Sequence, residues 1–277
     1  MNTVSLPYTV LILLVELAVG SLAVATVFDG RGVVTRGYVK TAAIVVFALV
    51  LLSLSVYREL GSGEEIGGYP LRPSWLAALR WSLFALLAFS ALHLVTAFRS
   101  WRRAALGFGI AGTLAGVAAL AALAAVIAAP TWSYAGTLGG MFAAALVLGG
   151  ALMTMTWGHW YLTNSGLPKE PMEHMSLFVL GALAAQALFV LLGAVLPVSE
   201  VPLTDAAFGV TLGQNPAFWL RVGVGLVFPM LLVLLAWRAA TIRGMMSATG
   251  LLYIAVGGVL TGEVLARGLM FATGAAV

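Results

Sequence analysis

Eight long apolar runs separated by short breaker segments constrain this chain more than any other feature. They lie at roughly 8–28, 41–57, 74–98, 104–128, 133–161, 174–195, 217–237 and 248–272. Most reach the ~20 residues that an α-helix needs to cross ~30 Å of hydrocarbon. The second run is short, and the fifth is long enough to tilt or to project from the bilayer. Inside hydrocarbon each backbone amide must be paired within its own segment, so the runs are helices and not open strands. Hydrophobic residues make up 62% of the chain and charged residues 9%, against about 25% charged in an average soluble domain. Such a chain needs a solvent that is itself apolar. The breakers are DGRG at 29–32, GSGEEIGGYP at 61–70, the Pro130 turn, NSGLPKEP at 164–171 and LPVSEVPLTD at 196–205. None is long enough for a soluble domain. Residues 1–277 therefore read as one polytopic, all-α domain of a multi-pass protein of the cytoplasmic membrane. The opening MNTVSLPYTV has no positively charged n-region, so the first run is expected to be retained.

Basic residues orient the helices. Arg31, Arg36 and Lys40 follow the first run; Arg99, Arg102 and Arg103 follow the third; Lys169 follows the fifth; Arg238 and Arg243 follow the seventh. The opposite set holds only Arg58 and Arg72. The positive-inside rule puts the odd-numbered loops in the cytoplasm and both termini outside. The formal charge of +4 is thus a topology signal; the basic residues form no stripe fit for nucleic acid. Small residues recur at Gly112 and Gly116, Gly139–Gly140, Gly149–Gly150, and Gly257, Gly258 and Gly262, which predicts a closely packed bundle. Trp75, Trp81, Trp101, Trp132 and Trp219 fall at predicted interfaces, where aromatic anchors belong.

The chain has no cysteine. Thiolate ligation of an iron–sulfur cluster, c-type haem attachment and disulfides are excluded on this chain. There is no Walker loop, H-E-x-x-H motif or nucleophile elbow. What remains is a small set of ionisable residues at membrane depth, each costing ~2.5–3.5 kcal/mol on insertion scales. Glu16 lies near the middle of the first run, Arg80 in the outer part of the third and Arg221 at the outer start of the seventh. Glu263 and Arg267 lie toward the outer end of the eighth, where their i, i+4 spacing places them on one face. All five fall in the outer half. One reading is a polar pocket where a quinone head group binds, with Glu263 relaying a proton and an arginine steadying a carbonyl oxygen. The other is an internal Glu263–Arg267 pair that fixes packing, with Arg80 and Arg221 snorkelling to the interface.

The histidines fall on the other side. His93 is near the inner end of the third run, His159 near that of the fifth, and His174 at the start of the sixth. Two imidazoles at similar depth on neighbouring helices would ligate a b-type haem; an interfacial aromatic setting (GHWYL, 158–162) explains His159 equally well. A third class is a small-solute transporter, favoured by Pro229 within the seventh run, because broken helices at the midplane mark alternating-access folds.

The closing segment SATGLLYIAVGGVLTGEVLARGLMF at 247–271 resembles the last helix of the dimethyl sulfoxide reductase membrane-anchor and polysulfide-reductase-like family. That helix carries G-E-x-x-x-R before an aromatic, and Gly262, Glu263, Arg267 and Phe271 fit the pattern. LPYTVLILLVELAVGSLAV near the N-terminus, RVGVGLVFPMLLVLL in the seventh run and TWSYAGTLGGMFAAALVLGGAL in the fifth are similar in style. The resemblance implies two four-helix bundles and a respiratory anchor subunit that exchanges electrons between menaquinone or ubiquinone and an iron–sulfur subunit. A molybdopterin-type catalytic subunit would lie beyond.

Overall fold

The computed structural model describes residues 5–61, 63–66, 69–128, 134–164, 166–195 and 212–274. The Pro130 turn, Trp132 and the segment LPVSEVPLTD lie outside the described residues. Eight helices are long and apolar enough to cross a membrane, and the chain is an all-α, multi-span membrane protein. The spans are α1 (Leu6–Gly30), α2 (Arg36–Arg58), α3 (Leu76–Phe98), α4 (Arg102–Ile127), α5 (Tyr134–Thr163), α6 (Glu170–Val195), a seventh made of α7 (Pro216–Val222) and α8 (Phe228–Thr241), and α9 (Met245–Thr273).

The second span is longer than its apolar run. It begins at Arg36 because Thr35 caps it, its hydroxyl accepting from the Tyr38 amide at 3.4 Å; charged residues carry the helix on into the interfacial zone, where hydropathy no longer marks it. The fifth span is as long as its run suggests, 30 residues or ~45 Å. Between α2 and α3 the breaker GSGEEIGGYP carries a two-residue antiparallel ladder, β1 (Glu65–Ile66) with β2 (Tyr69–Pro70). Tyr69 closes it onto the bundle by donating to the Ile127 carbonyl at 2.5 Å.

The spans form two four-helix bundles. In the first, α1 packs on α2, α2 on α3, α3 on α4 and α4 on α1; in the second, α5 packs on α6, α6 on α8, α8 on α9 and α9 on α5. The bundles meet chiefly along α1 and α5. Their backbones approach so closely at Gly20 and Gly149 that a Cβ on either would run into the other helix's main chain. Only glycine permits that crossing, since van der Waals fit rather than water exclusion holds helices together in lipid. Gly112 and Gly116 of α4 similarly seat Leu22 and Val19 of α1.

The start of α1 and the end of α9 share one end of the molecule, where Tyr8 and Phe271 meet ring to ring at 6.5 Å. At the other end Arg102 of α4 donates to the Asp29 carbonyl of α1 at 2.7 Å, and Lys169 donates to the Thr241 carbonyl that ends α8 at 2.7 Å. The basic loops therefore gather at this second end.

Candidate functional site

The seventh span is not a regular helix. Between α7 and α8, Gly223–Val227 form a π-helical turn in which the Phe228 amide donates to the Gly223 carbonyl. Such turns insert an extra residue and are common at functional sites. Here the turn sets Gly225 against Gly262 of α9, backbone to backbone, with no room for a Cβ on either. One turn before Gly225 stands Arg221, and next to Gly262 stands Glu263. The crossing thus delivers a cation and an anion to the same buried point. The missing Cβ atoms also leave space for Nη1 of Arg221, which would lie 2.8 and 3.0 Å from Cβ atoms at Gly225 and Gly262.

Four charges and one amide meet there. Arg221 Nη2 lies 2.9 Å from Glu263 Oε1, and Gln186 of α6 donates its Nε2 to the same oxygen at 2.5 Å. Arg267 Nη2 sits 3.5 Å from Glu263 Oε2 and donates to Glu16 Oε1 of α1 at 2.5 Å. None of the five residues is more than 7% exposed. Two carboxylates offset two guanidiniums, which is the condition for holding charge at this depth. Because Glu16 comes from the first bundle and the rest from the second, the Arg267–Glu16 pair also ties the bundles together.

The cluster is balanced in charge but not in hydrogen bonds. Arg221 Nε and Nη1, Arg267 Nε, Glu16 Oε2, Glu263 Oε2 and Gln186 Oε1 have no hydrogen-bond partner. The Gln186 amide orientation is fixed by chemistry, since only its N–H side can face a carboxylate; its oxygen is therefore the end left over. More than nine in ten buried polar groups in proteins are paired, so six orphans around one cluster leave it short of polar partners. A narrow cleft with about 30 Å³ of free volume borders this cluster. Thr137 of α5 lines it, its hydroxyl also without a partner. Phe189, Val190 and Met270 supply apolar wall, and partly exposed Gly136, Gly140 and Phe189 stand on its border.

Four of the five ionisable residues singled out from sequence thus come together: Glu16, Arg221, Glu263 and Arg267. Arg221 does not snorkel; it is 1% exposed. Arg80 stands apart, exposed on α3 with its guanidinium over the Trp81 ring at 5.5 Å. Gln186 and Thr137 carry little signal in the sequence, being uncharged polar residues within spans; the one cue is an amide in the apolar stretch of α6 from Leu177 to Val195.

The histidines have different surroundings. His93 is buried, its Nδ1 2.9 Å from the Ala105 carbonyl of α4. His159 is exposed and shares a hydrogen bond with the Tyr253 hydroxyl of α9 at 2.9 Å. His174 is exposed at the start of α6. Each faces a different neighbour, and among the described residues no group of three His, Cys, Asp or Glu is placed to hold a metal ion.

Fold and site together define the class: a two-bundle, eight-span membrane protein with a charge-balanced polar cluster beside a cleft. Beyond that class, no family model matches the chain, no curated protein matches it, and no solved structure matches it.

Proposed function

We propose that the protein is the quinone-handling membrane subunit of a respiratory oxidoreductase complex, with the cleft at Glu263 and Arg267 as its quinone site. The observation that carries this reading is the set of unsatisfied donors and acceptors bordering an apolar-walled cleft. A few convergent polar groups on apolar walls are what a small-molecule site requires; the cleft itself is narrow, about 30 Å³ of free volume, so a ring enters only as its walls move. A quinone carbonyl accepts from the arginine N–H groups; the hydroxyl of the reduced form donates to Gln186 Oε1. The couple offers both kinds of partner that the cluster lacks, whereas a simple anion offers only acceptors. Entry of a ring requires Phe189, which rests in the notch at Gly139, to turn aside.

Interconverting quinone and hydroquinone moves two electrons and two protons. The proton side falls to Glu263, which borders the cleft, with Glu16 behind Arg267 as the next carboxylate inward. The electron side falls to a partner, because a chain without cysteine holds no thiolate-ligated cluster. An iron–sulfur subunit passing electrons to or from a molybdopterin-type subunit is the partner that the likeness of the last helix implies.

The test is binding of a water-soluble ubiquinone or menaquinone analogue to the purified full-length protein, followed by intrinsic fluorescence. Saturable binding that weakens at least about tenfold in Glu263→Gln, about 1.4 kcal/mol, supports the site. Absence of binding by the wild type refutes it. The π turn at Gly223–Val227 also favours a second reading, a solute transporter with its site at an irregular span. Co-purification separates the two: an anchor brings a cofactor-bearing soluble subunit in mild detergent and a transporter does not.

A further inference from the structure

At the basic end of the first bundle the loops after α1 and α3 lie together, joined by Arg102 and Arg36, which share Asp29 Oδ1 at 3.7 and 3.6 Å. Arg31, Arg36, Lys40, Arg99, Arg102 and Arg103 all lie in or beside these two loops, six cations against one carboxylate. Asp29 is itself buried at 3% exposure. Arg36 and Arg102 are the two that it pairs; among the described residues Arg31, Lys40, Arg99 and Arg103 have no carboxylate in ion-pair range. The second bundle's matching end differs. Its loops hold Lys169, Arg238 and Arg243 together with Glu170 and Glu173, and Lys169 is engaged with Glu173 at 2.9 Å. Orientation of the chain does not require this imbalance between bundles.

The unpaired cations also sit at a particular depth. Lys40 Nζ lies 5.6 Å from the centre of the Phe98 ring, and the Arg99 guanidinium 5.6 Å from that of Trp101. Both rings are more than half exposed, 51% and 57%, the setting of an interfacial aromatic anchor. Toward the bilayer centre the packed pair α2–α3 shows exposed Ile44 and Val95, an apolar wall continuing from the cations.

We propose that this α2–α3 edge binds an anionic phospholipid of the adjoining leaflet. Lys40 and Arg99 hold the phosphate, Phe98 and Trp101 bracket the glycerol level, and the acyl chains run along Ile44 and Val95. Cations held in place by aromatic rings, rather than swept through bulk water, give a headgroup a fixed pair of donors, and basic pockets at the ends of spans are where such headgroups bind. The occupant is a lipid and not a soluble anion because the cations stand directly above a lipid-facing wall.

The test uses full-length protein purified in mild detergent and measures retained phosphatidylglycerol by native mass spectrometry, against phosphatidylcholine at the same mole fraction. Phosphatidylglycerol is expected to be retained selectively. The Lys40→Gln/Arg99→Gln variant is expected to weaken it about thirty-fold, two contacts of about 1 kcal/mol each. Lys40→Arg/Arg99→Lys is expected to keep it, which guards against loss through misfolding. Arg238→Gln/Arg243→Gln, removing equal charge from the second bundle, is expected to change nothing. Equal loss in that control means diffuse charge attraction and overturns the proposal. So does equal retention of both lipids, or a Lys40→Gln/Arg99→Gln protein that keeps its lipid but sheds an acidic protein partner.

Discussion

Replacing Arg267 with methionine removes the cation that touches both carboxylates of the cluster. Its Nη2 is the donor to Glu16 Oε1, and Glu16 Oε2 has no hydrogen-bond partner. The substitution therefore strands a carboxylate that is 0% exposed. Glu263 suffers less, because Arg221 at 2.9 Å and Gln186 at 2.5 Å still hold it. Breaking a buried pair from one side costs about 3–5 kcal/mol, whereas exchanging both partners for apolar residues is close to neutral. Arg267→Met is thus expected to lose about 3–5 kcal/mol, and Glu16→Leu/Arg267→Met to recover to within about 1–2 kcal/mol of wild type. The double variant leaves Arg221 and Glu263 as a balanced pair. Stability is read from detergent-driven unfolding in mixed micelles, following tryptophan fluorescence, with the two single variants completing the cycle. A coupling of at least about 2 kcal/mol is expected between residues in direct contact. Two results refute the reasoning: an Arg267→Met protein within about 1 kcal/mol of wild type, or a double variant no more stable than the single. The recovered double variant also separates architecture from activity, since a folded protein that no longer binds the quinone analogue assigns the Glu16–Arg267 pair to the ligand as well as to the fold.

Gln186→Leu deletes a hydrogen bond to a charged group, worth about 1.5–3 kcal/mol, and is expected to raise the dissociation constant of the quinone analogue about tenfold in the fluorescence titration. Arg80→Gln, far from the cleft, is expected to leave that constant unchanged and to shift unfolding by less than about 0.5 kcal/mol. A tenfold loss of affinity there would put the site in the wrong bundle. Gly262→Ala drives a methyl into the Gly225 backbone and is expected to cost about 1–3 kcal/mol in the unfolding assay. Ser100 holds a left-handed conformation at φ 59° in the tight turn between α3 and α4; Ser100→Gly is expected to stabilise by about 1 kcal/mol.

The existence, number and near-boundaries of the spans were legible because hydrocarbon imposes a length and a polarity that no alternative fold escapes. The gathering of basic loops at one end was legible for the same reason, each loop being short and each span crossing once. The i, i+4 pair on α9 was legible because helical spacing is local; the 3.5 Å contact of Arg267 with Glu263 follows from it. The two-residue ladder at Glu65–Ile66 and Tyr69–Pro70 was not, since a glycine-rich breaker specifies a turn and not its docking. Gln186 was not legible either, because an uncharged amide in an apolar run says nothing until its neighbour is known.

What the sequence determined by itself was approximate depth: Glu16, Arg221, Glu263 and Arg267 fall in the same half of their spans because each sits at a countable distance from a span end. What only the tertiary structure decided was direction. Arg80 lies in the same outer half, yet it faces outward beside Trp81, while Arg267 reaches Glu16 across 251 residues of chain. In water an amphipathic stripe announces which face of a helix turns inward. In lipid both faces are apolar, so the inward face is chosen by where backbones can interlock, at Gly20 on Gly149 and Gly225 on Gly262, and those matches exist only between helices.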